Sequence, residues 1–254
     1  MKFFDNHTSP NFDDRAKGEK VEIIVVHYTA MTSTEAVLEK FADKASKVSS
    51  HYLIAENGDI YQMVDEEKRA WHAGISSWNG KDDVNSRSIG IEISNRNGEP
   101  YTKEQLFALT ILIKDIQSRH DVLPENIVGH SDVAPNRKQD PGEHFPWQKL
   151  SRHDIGRWQK PTIADKFNAA AVAKKPQELR ALFRQAGYGV DGQKTKDLVA
   201  AFQRRYEQDI FKSATAVPGD ATATTVARLR AVARMNSFAN KKPASPSAPA
   251  KNKQ

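Results

Sequence analysis

Apolar and polar positions alternate along this chain with two different periods. Val21–His27 reads Val-Glu-Ile-Ile-Val-Val-His. A near-continuous β-branched run of this kind predicts a central strand buried on both faces. His27 stands at its C-terminal end, where open sheets place their ligand sites. Thr32-Ser33-Thr34-Glu35 predicts a capping box with Thr32 as N-cap and Glu35 at N3. Behind it, Val37, Leu38, Phe41 and Ala45 mark an amphipathic helix. Ser50–Ile54 and Ile60–Val64 predict two strands. The Glu56-Asn57-Gly58-Asp59 turn joins them, Asn-Gly being suited to the positive φ angles of a type I′ turn. Ser88–Ser94 predicts another apolar strand, with Glu92 in its interior. Thr102 and Gln105 form a second capping box, and Leu106, Leu109, Ile113 and Ile116 carry the buried stripe of the helix that follows. Ile127-Val128-Gly129 is a short strand that delivers His130 to the same sheet edge as His27.

Other stretches lack a period. Residues 1–20 read as an irregular polar arm. Residues 66–85 hold Ala70-Trp71-His72-Ala73-Gly74 and Trp78-Asn79-Gly80, and a long loop of that composition is more often a binding surface than a core element. A first unit thus spans residues 1–160, and 161–176 reads as a linker. A small three-helix unit follows over 177–235. Leu179, Leu182, Phe183 and Ala186 mark its first helix, ended at Gly187. Leu198, Phe202 and Tyr206 mark the second, and Val226, Leu229 and Val232 the third. Residues 236–254, rich in Pro, Ala, Ser and Lys, cannot build a core and are expected to be disordered.

Composition narrows the function. The 254 residues contain no cysteine, which excludes disulfides and thiolate metal ligands. No apolar run approaches the ~18 residues of a membrane span. Met1–His7 lacks the apolar core of a secretory signal. The chain is therefore expected to be cytoplasmic, exported by another route, or numbered without its leader. The net charge is +6, but residues 236–254 carry +4 of it, so the rest carries only +2. With no aromatic-interleaved basic strand, nucleic-acid binding is not expected.

Candidate chemistry gathers in Gly129–Gly142, where His130, Lys138 and Asp140 lie close to Gly and Pro turns. A lone histidine after a strand is more often a capped surface residue. Together, however, His27, His130 and Asp140 supply three of the nitrogen and oxygen ligands that zinc accepts, leaving a fourth position open. Glu92 in mid-strand is expensive to bury unless paired or near a metal. It reads either as a structural ion-pair partner or as the base that deprotonates a water acidified by the ion. In extended chain, Lys138 would face the same side as Asp140 and stabilise a developing oxyanion.

The segments VEIIVVHYTA (21–30), SSHYLI (49–54), DIYQMV (59–64), AWHAG (70–74), NSRSIGIEISN (85–95) and VGHSDVAPNRKQDPG (128–142) resemble, in order, the zinc N-acetylmuramoyl-L-alanine amidases of the bacterial AmpD/AmiD group. The resemblance covers about residues 20–150. It implies an α/β fold, a central mixed sheet flanked by helices. It implies hydrolysis of the amide between N-acetylmuramic acid and L-alanine in peptidoglycan or muropeptides. It assigns zinc to His27, His130 and Asp140, the base to Glu92 and oxyanion stabilisation to Lys138. It places Tyr52, Trp71 and His72 in motifs that line the substrate groove. LRALFRQAGYGVDG (179–192) and LVAAFQRRYEQD (198–209) resemble peptidoglycan-binding helical domains, although Gly192-Gln193-Lys194-Thr195 replaces their usual Gly-x-Phe-Gly turn. That unit either binds glycan or braces the catalytic one. Its presence implies the bacterial envelope or periplasm, with the cytoplasm as the alternative. A binder that does not cut would typically lack part of the ligand set, which here is complete.

Overall fold

The computed structural model describes residues 1–96 and 99–239, without the side chains of 237–239. The elements run β1 (Phe3–Phe4), β2 (Phe12–Asp14), β3 (Ile23–Tyr28), α1 (Thr34–Ala42), β4 (Tyr52–Ile54), β5 (Ile60–Gln62), β6 (Lys68–Ala70), β7 (Ser77–Trp78), β8 (Lys81–Asp82), β9 (Ser88–Ile93), α2 (Lys103–Arg119), β10 (Ile127–Gly129), α3 (His130–Val133), α4 (Trp147–Leu150), α5 (Ile163–Lys166), α6 (Ala169–Val172), α7 (Pro176–Gln185), α8 (Thr195–Tyr206) and α9 (Ala223–Ala239).

Six strands form one mixed sheet in the order β1-β5-β4-β9-β3-β10. Strands β4, β9, β3 and β10 are mutually parallel, and β5 is antiparallel to β4. In register, Ile23, Val25 and His27 lie beside Ser88, Gly90 and Glu92, and Glu92 lies beside Leu53. Side chains alternate across a sheet. One face therefore carries Ile24, Val26, Tyr52, Ile54, Ile89, Ile91 and Ile93, which pack with Ala108, Leu109, Leu112, Ile113 and Ile116 of α2. The other carries Leu53 under Val37 and Phe41 of α1, and Ile23, Val25 and Val128 under the C-terminal helices.

Several expectations are corrected by this architecture. Residues 1–20 are not irregular throughout, because β1 pairs with β5 and β2 with β6. The 66–85 stretch holds three short strands, too brief to show a period. Helix α1 is capped by Ser33, whose side chain accepts from Ala36 N, and not by Thr32. The expected Thr102–Gln105 capping box is present. The β4–β5 turn is not type I′: Gly58 has φ +82° and Asn57 is not positive. Gly58 N donates to Ala55 O at 3.0 Å, a type I turn with a glycine bulge. A Cβ on Gly58 would stand 2.7 Å from the Glu104 carbonyl, so the start of α2 also excludes a side chain there.

Between 161 and 176 the chain forms α5 and α6, and Ala169 and Val172 are buried with the C-terminal helices. These helices do not close a core of their own. Leu179, Phe183, Leu198, Phe202, Val226 and Leu229 belong to one apolar cluster with Ile23, Val25 and Val128 of the sheet. Helix α7 ends at Gly187 (φ +100°) as expected. The tail expected to be disordered lies outside the described residues from 240 onward, while 236–239 continue α9. No described helix is long and apolar enough to cross a membrane.

Candidate metal centre and catalytic cleft

Strand β3 ends by presenting His27, and β10, paired alongside it, hands the chain directly to His130 at the start of α3. The loop that follows returns Asp140 to the same point, tied by a 2.9 Å hydrogen bond from Ser131 N to Asp140 O. Gly129 makes the return possible, since a Cβ there would meet Pro141 Cδ at 2.6 Å. The result is a triangle of donor atoms. His27 Nδ1 lies 2.9 Å from Asp140 Oδ2, His130 Nδ1 lies 3.0 Å from the same oxygen, and the two nitrogens are 3.0 Å apart.

The hydrogen bonds around this triangle show what it fits. His130 Nε2 faces the Ala73 carbonyl at 3.1 Å, which can only accept, so Nε2 carries a hydrogen. The other ring nitrogen, Nδ1, faces the carboxylate oxygen of Asp140, an arrangement that a cation between them would satisfy. Tetrahedral zinc bonded at ~2.0–2.1 Å needs ligand edges of about 3.3 Å, within a few tenths of this triangle. His27, His130 and Asp140 could thus hold one metal ion. Burial, reinforced by the neighbouring His130, lowers the His27 pKa to about 4, which keeps it neutral and free to ligate. Burial pushes the Asp140 carboxyl up, but the charge and hydrogen bonds of His130 and His27 outweigh it and hold it well below the carboxylate range.

The triangle lies in a cleft of about 460 Å³ lined also by Tyr28, Trp71, His72, Glu92 and Lys138. Glu92 is the sheet neighbour of His27, and its buried Oε2 has no hydrogen-bond partner. Burial, then the negative charge of Asp140, raises its pKa to about 8, while Lys138 and Lys40 pull the other way. Trp71 stands at the rim with its indole nitrogen donating to Asp13 at 3.1 Å. His72 lies deeper, 9% exposed, beside His27 and over Ser88 and Gly90 of β9.

Tyr52 is the expected site residue that the structure does not bring to the cleft. It points to the α2 face, where its hydroxyl donates to Glu66 Oε1 at 2.7 Å. The position on the cleft face is Leu53, one residue along. Conversely, Asp132 was not singled out from sequence. Its Oδ2 accepts from Gly129 N at 2.8 Å and from buried Arg205 at 2.6 Å, and its Oδ1 accepts from Tyr188 at 2.7 Å. The C-terminal helices therefore grip the turn that carries His130. Ser88 and Gly90 were also missed. Their signal was present, because Ser88, Gly90 and Glu92 share one face of β9 and a glycine inside a strand marks a close approach.

Comparison with known proteins gives the family of the chain. The family model described as N-acetylmuramoyl-L-alanine amidase matches residues 17–143. The chain belongs to this family. AmiD of Escherichia coli K12, an N-acetylmuramoyl-L-alanine amidase, is 36% identical over 231 residues, covering 82% of this chain and 80% of that protein. The 1,6-anhydro-N-acetylmuramyl-L-alanine amidase AmpD of Haemophilus influenzae is 35% identical over 159 residues, 56% of this chain and 86% of its own. Among solved structures, the E. coli AmiD complex with anhydro-N-acetylmuramic acid-L-Ala-D-γ-Glu-L-Lys superposes with a TM-score of 0.72 at 32% identity, covering 89% of this chain and 98% of that one. AmpDh3 of Pseudomonas aeruginosa gives the same TM-score and identity, covering 85% of this chain and 92% of its own. As a member of this family the chain is an amide hydrolase with a mixed sheet flanked by helices.

Proposed function

We propose that the cleft hydrolyses the amide between N-acetylmuramic acid and L-alanine in peptidoglycan or muropeptides, with one zinc ion held by His27, His130 and Asp140. The reading rests above all on the triangle of donor atoms about 3 Å on a side beside the unpartnered carboxyl of Glu92. Zinc bound there would acidify water and polarise the scissile carbonyl.

The chain's own groups do the rest. Glu92 takes the proton of the attacking water at its carboxylate and passes it to the nitrogen of the departing L-alanine. A carboxyl raised to about 8 by burial suits the return of the proton to the amine, and a cation nearby would lower it so that the carboxylate can first accept one. Lys138 makes no ion pair among the described residues and its charge is felt at both His27 and Glu92. It is free to hold the charge that develops on the carbonyl oxygen. Trp71 offers an apolar face at the rim for the sugar or its lactyl group. The resemblance of residues 179–209 to peptidoglycan-binding helical domains leads us to place the enzyme in the bacterial envelope.

The test is mass analysis of products from whole sacculi and soluble anhydromuropeptides, with and without chelator. Release of free L-alanyl peptides that stops on chelation and returns with zinc supports the proposal. Zinc-loaded protein that leaves the bond intact in both substrates, or hydrolysis indifferent to chelation, overturns it.

A further inference from the structure

His72 was expected to touch substrate, but its contacts describe a different task. Both ring nitrogens are engaged from behind the cleft. Nδ1 lies 3.0 Å from His27 Nε2, and Nε2 lies 3.1 Å from Ser88 Oγ. The Ser88 hydroxyl is committed in turn, donating to the Val84 carbonyl at 2.7 Å.

These bonds fix every hydrogen in the row. Val84 O can only accept, so the Ser88 hydrogen goes there and Ser88 Oγ is left as an acceptor. His72 must then carry its hydrogen on Nε2, which leaves Nδ1 as a lone pair. That lone pair calls for the hydrogen of His27 on Nε2. His27 Nδ1, the atom at the metal triangle, is then bare. The opposite arrangement would protonate the very nitrogen that must ligate.

We propose that His72, held by Ser88, is a positioning residue that sets the tautomer and ring orientation of His27 for metal binding. Metal-ligating histidines generally pass their second N–H to a carboxylate, a carbonyl or water. His130 does so with Ala73 O. His27 Nε2 meets a second imidazole instead, that of His72. The fold makes room for it at Gly90, where a Cβ would stand 2.5 Å from His72 Cγ. Three observations on separate residues thus agree: the Ser88–Val84 bond, the His72–His27 bond and the missing side chain at Gly90.

The inference rests on the zinc reading above, and the experiment separates the two. Zinc affinity is measured by chelator competition for the parent, His72→Leu, His72→Asn and Ser88→Ala, with metal-free thermal melts to check folding. In parallel, two-bond ¹⁵N–¹H correlations report which imidazole nitrogens carry hydrogen. Loss of the partner in His72→Leu should weaken zinc binding ~10–100-fold. His72→Asn, which puts an acceptor oxygen where Nδ1 stood, should recover most of that loss. Ser88→Ala should weaken binding less and let the His72 hydrogen migrate to Nδ1. A parent that binds no zinc overturns both readings. A parent that binds zinc, with His72→Leu folded and unchanged in affinity, overturns only this one. So does rescue by Asn no better than by Leu, or a parent spectrum with the His72 hydrogen on Nδ1. Should His72→Leu not fold, Ser88→Ala and the parent spectrum decide.

Discussion

The two faces of the central sheet are built from the same strands and do opposite things. On β9, Ile89, Ile91 and Ile93 point towards α2 into an apolar layer, while Ser88, Gly90 and Glu92 point the other way. One face of the strand is closed by apolar packing against α2, and its second face carries groups that stability alone would not select. Glu92 Oε2 is buried without a partner, and His72 is seated on a glycine. A residue's task here follows from its parity along the strand more than from its type.

That contrast can be broken at single positions. The largest effect is expected at the metal triangle: His27→Ala, His130→Ala or Asp140→Ala should reduce turnover to background, as should chelation. Product analysis on muropeptides checks this, and substantial residual turnover in a metal-free variant would separate the triangle from the chemistry. Next comes Glu92→Gln, expected to lower kcat ~10²–10⁴-fold while zinc affinity persists. Its neighbour Ile91→Ala should do the reverse. It should lose ~2–5 kcal/mol of stability, as large-to-small core changes do, yet leave kcat of the folded fraction near the parent value. Denaturant melts paired with kinetics on both variants test the parity argument directly, and equal kcat losses would refute it.

The smallest effect concerns the α2 face at its edge, where Tyr52, Arg119 and His120 surround Glu66. Burial pushes the Glu66 carboxyl up, but hydrogen bonds from Arg119, Tyr52 and His120 outweigh it and lower it from 4.5 to about 2. A carboxyl with a depressed native pKa adds stability that is complete above its unfolded value and disappears as pH falls through the native one. Between pH 4.5 and about 2 the melting temperature of the parent should therefore fall more steeply than that of Glu66→Gln. Parallel slopes would show that Tyr52 and its partners do not hold this charge.

Much of this was written locally. The β-branched run ending in His27, the Thr102–Gln105 box and the helix stop at Gly187 each follow from backbone sterics and nearby hydrogen bonds, so a short window contains them. Parity was harder. Tyr52 and Leu53 are adjacent and both apolar enough to be core, and a shift of one residue exchanges the faces of a strand. Only the pairing of Leu53 with Glu92 shows that Leu53 has the cleft side. The caps show the same limit at closer range, since Thr32 and Ser33 are equally able acceptors and the entry of the chain into α1 chose Ser33.

By itself the sequence determined the longer strands of the sheet, the long helices and the candidate set of metal ligands, because period, capping and ligand chemistry act over a few residues or depend on residue type alone. The tertiary structure decided the rest. It chose which nitrogen of His27 stays bare, through a row of hydrogen bonds from Val84 to His72. It also joined the C-terminal helices to the sheet in one core and to the His130 turn through Arg205 and Asp132. Those outcomes depend on distances between residues far apart in the chain, and such distances exist only once the apolar faces have closed on one another.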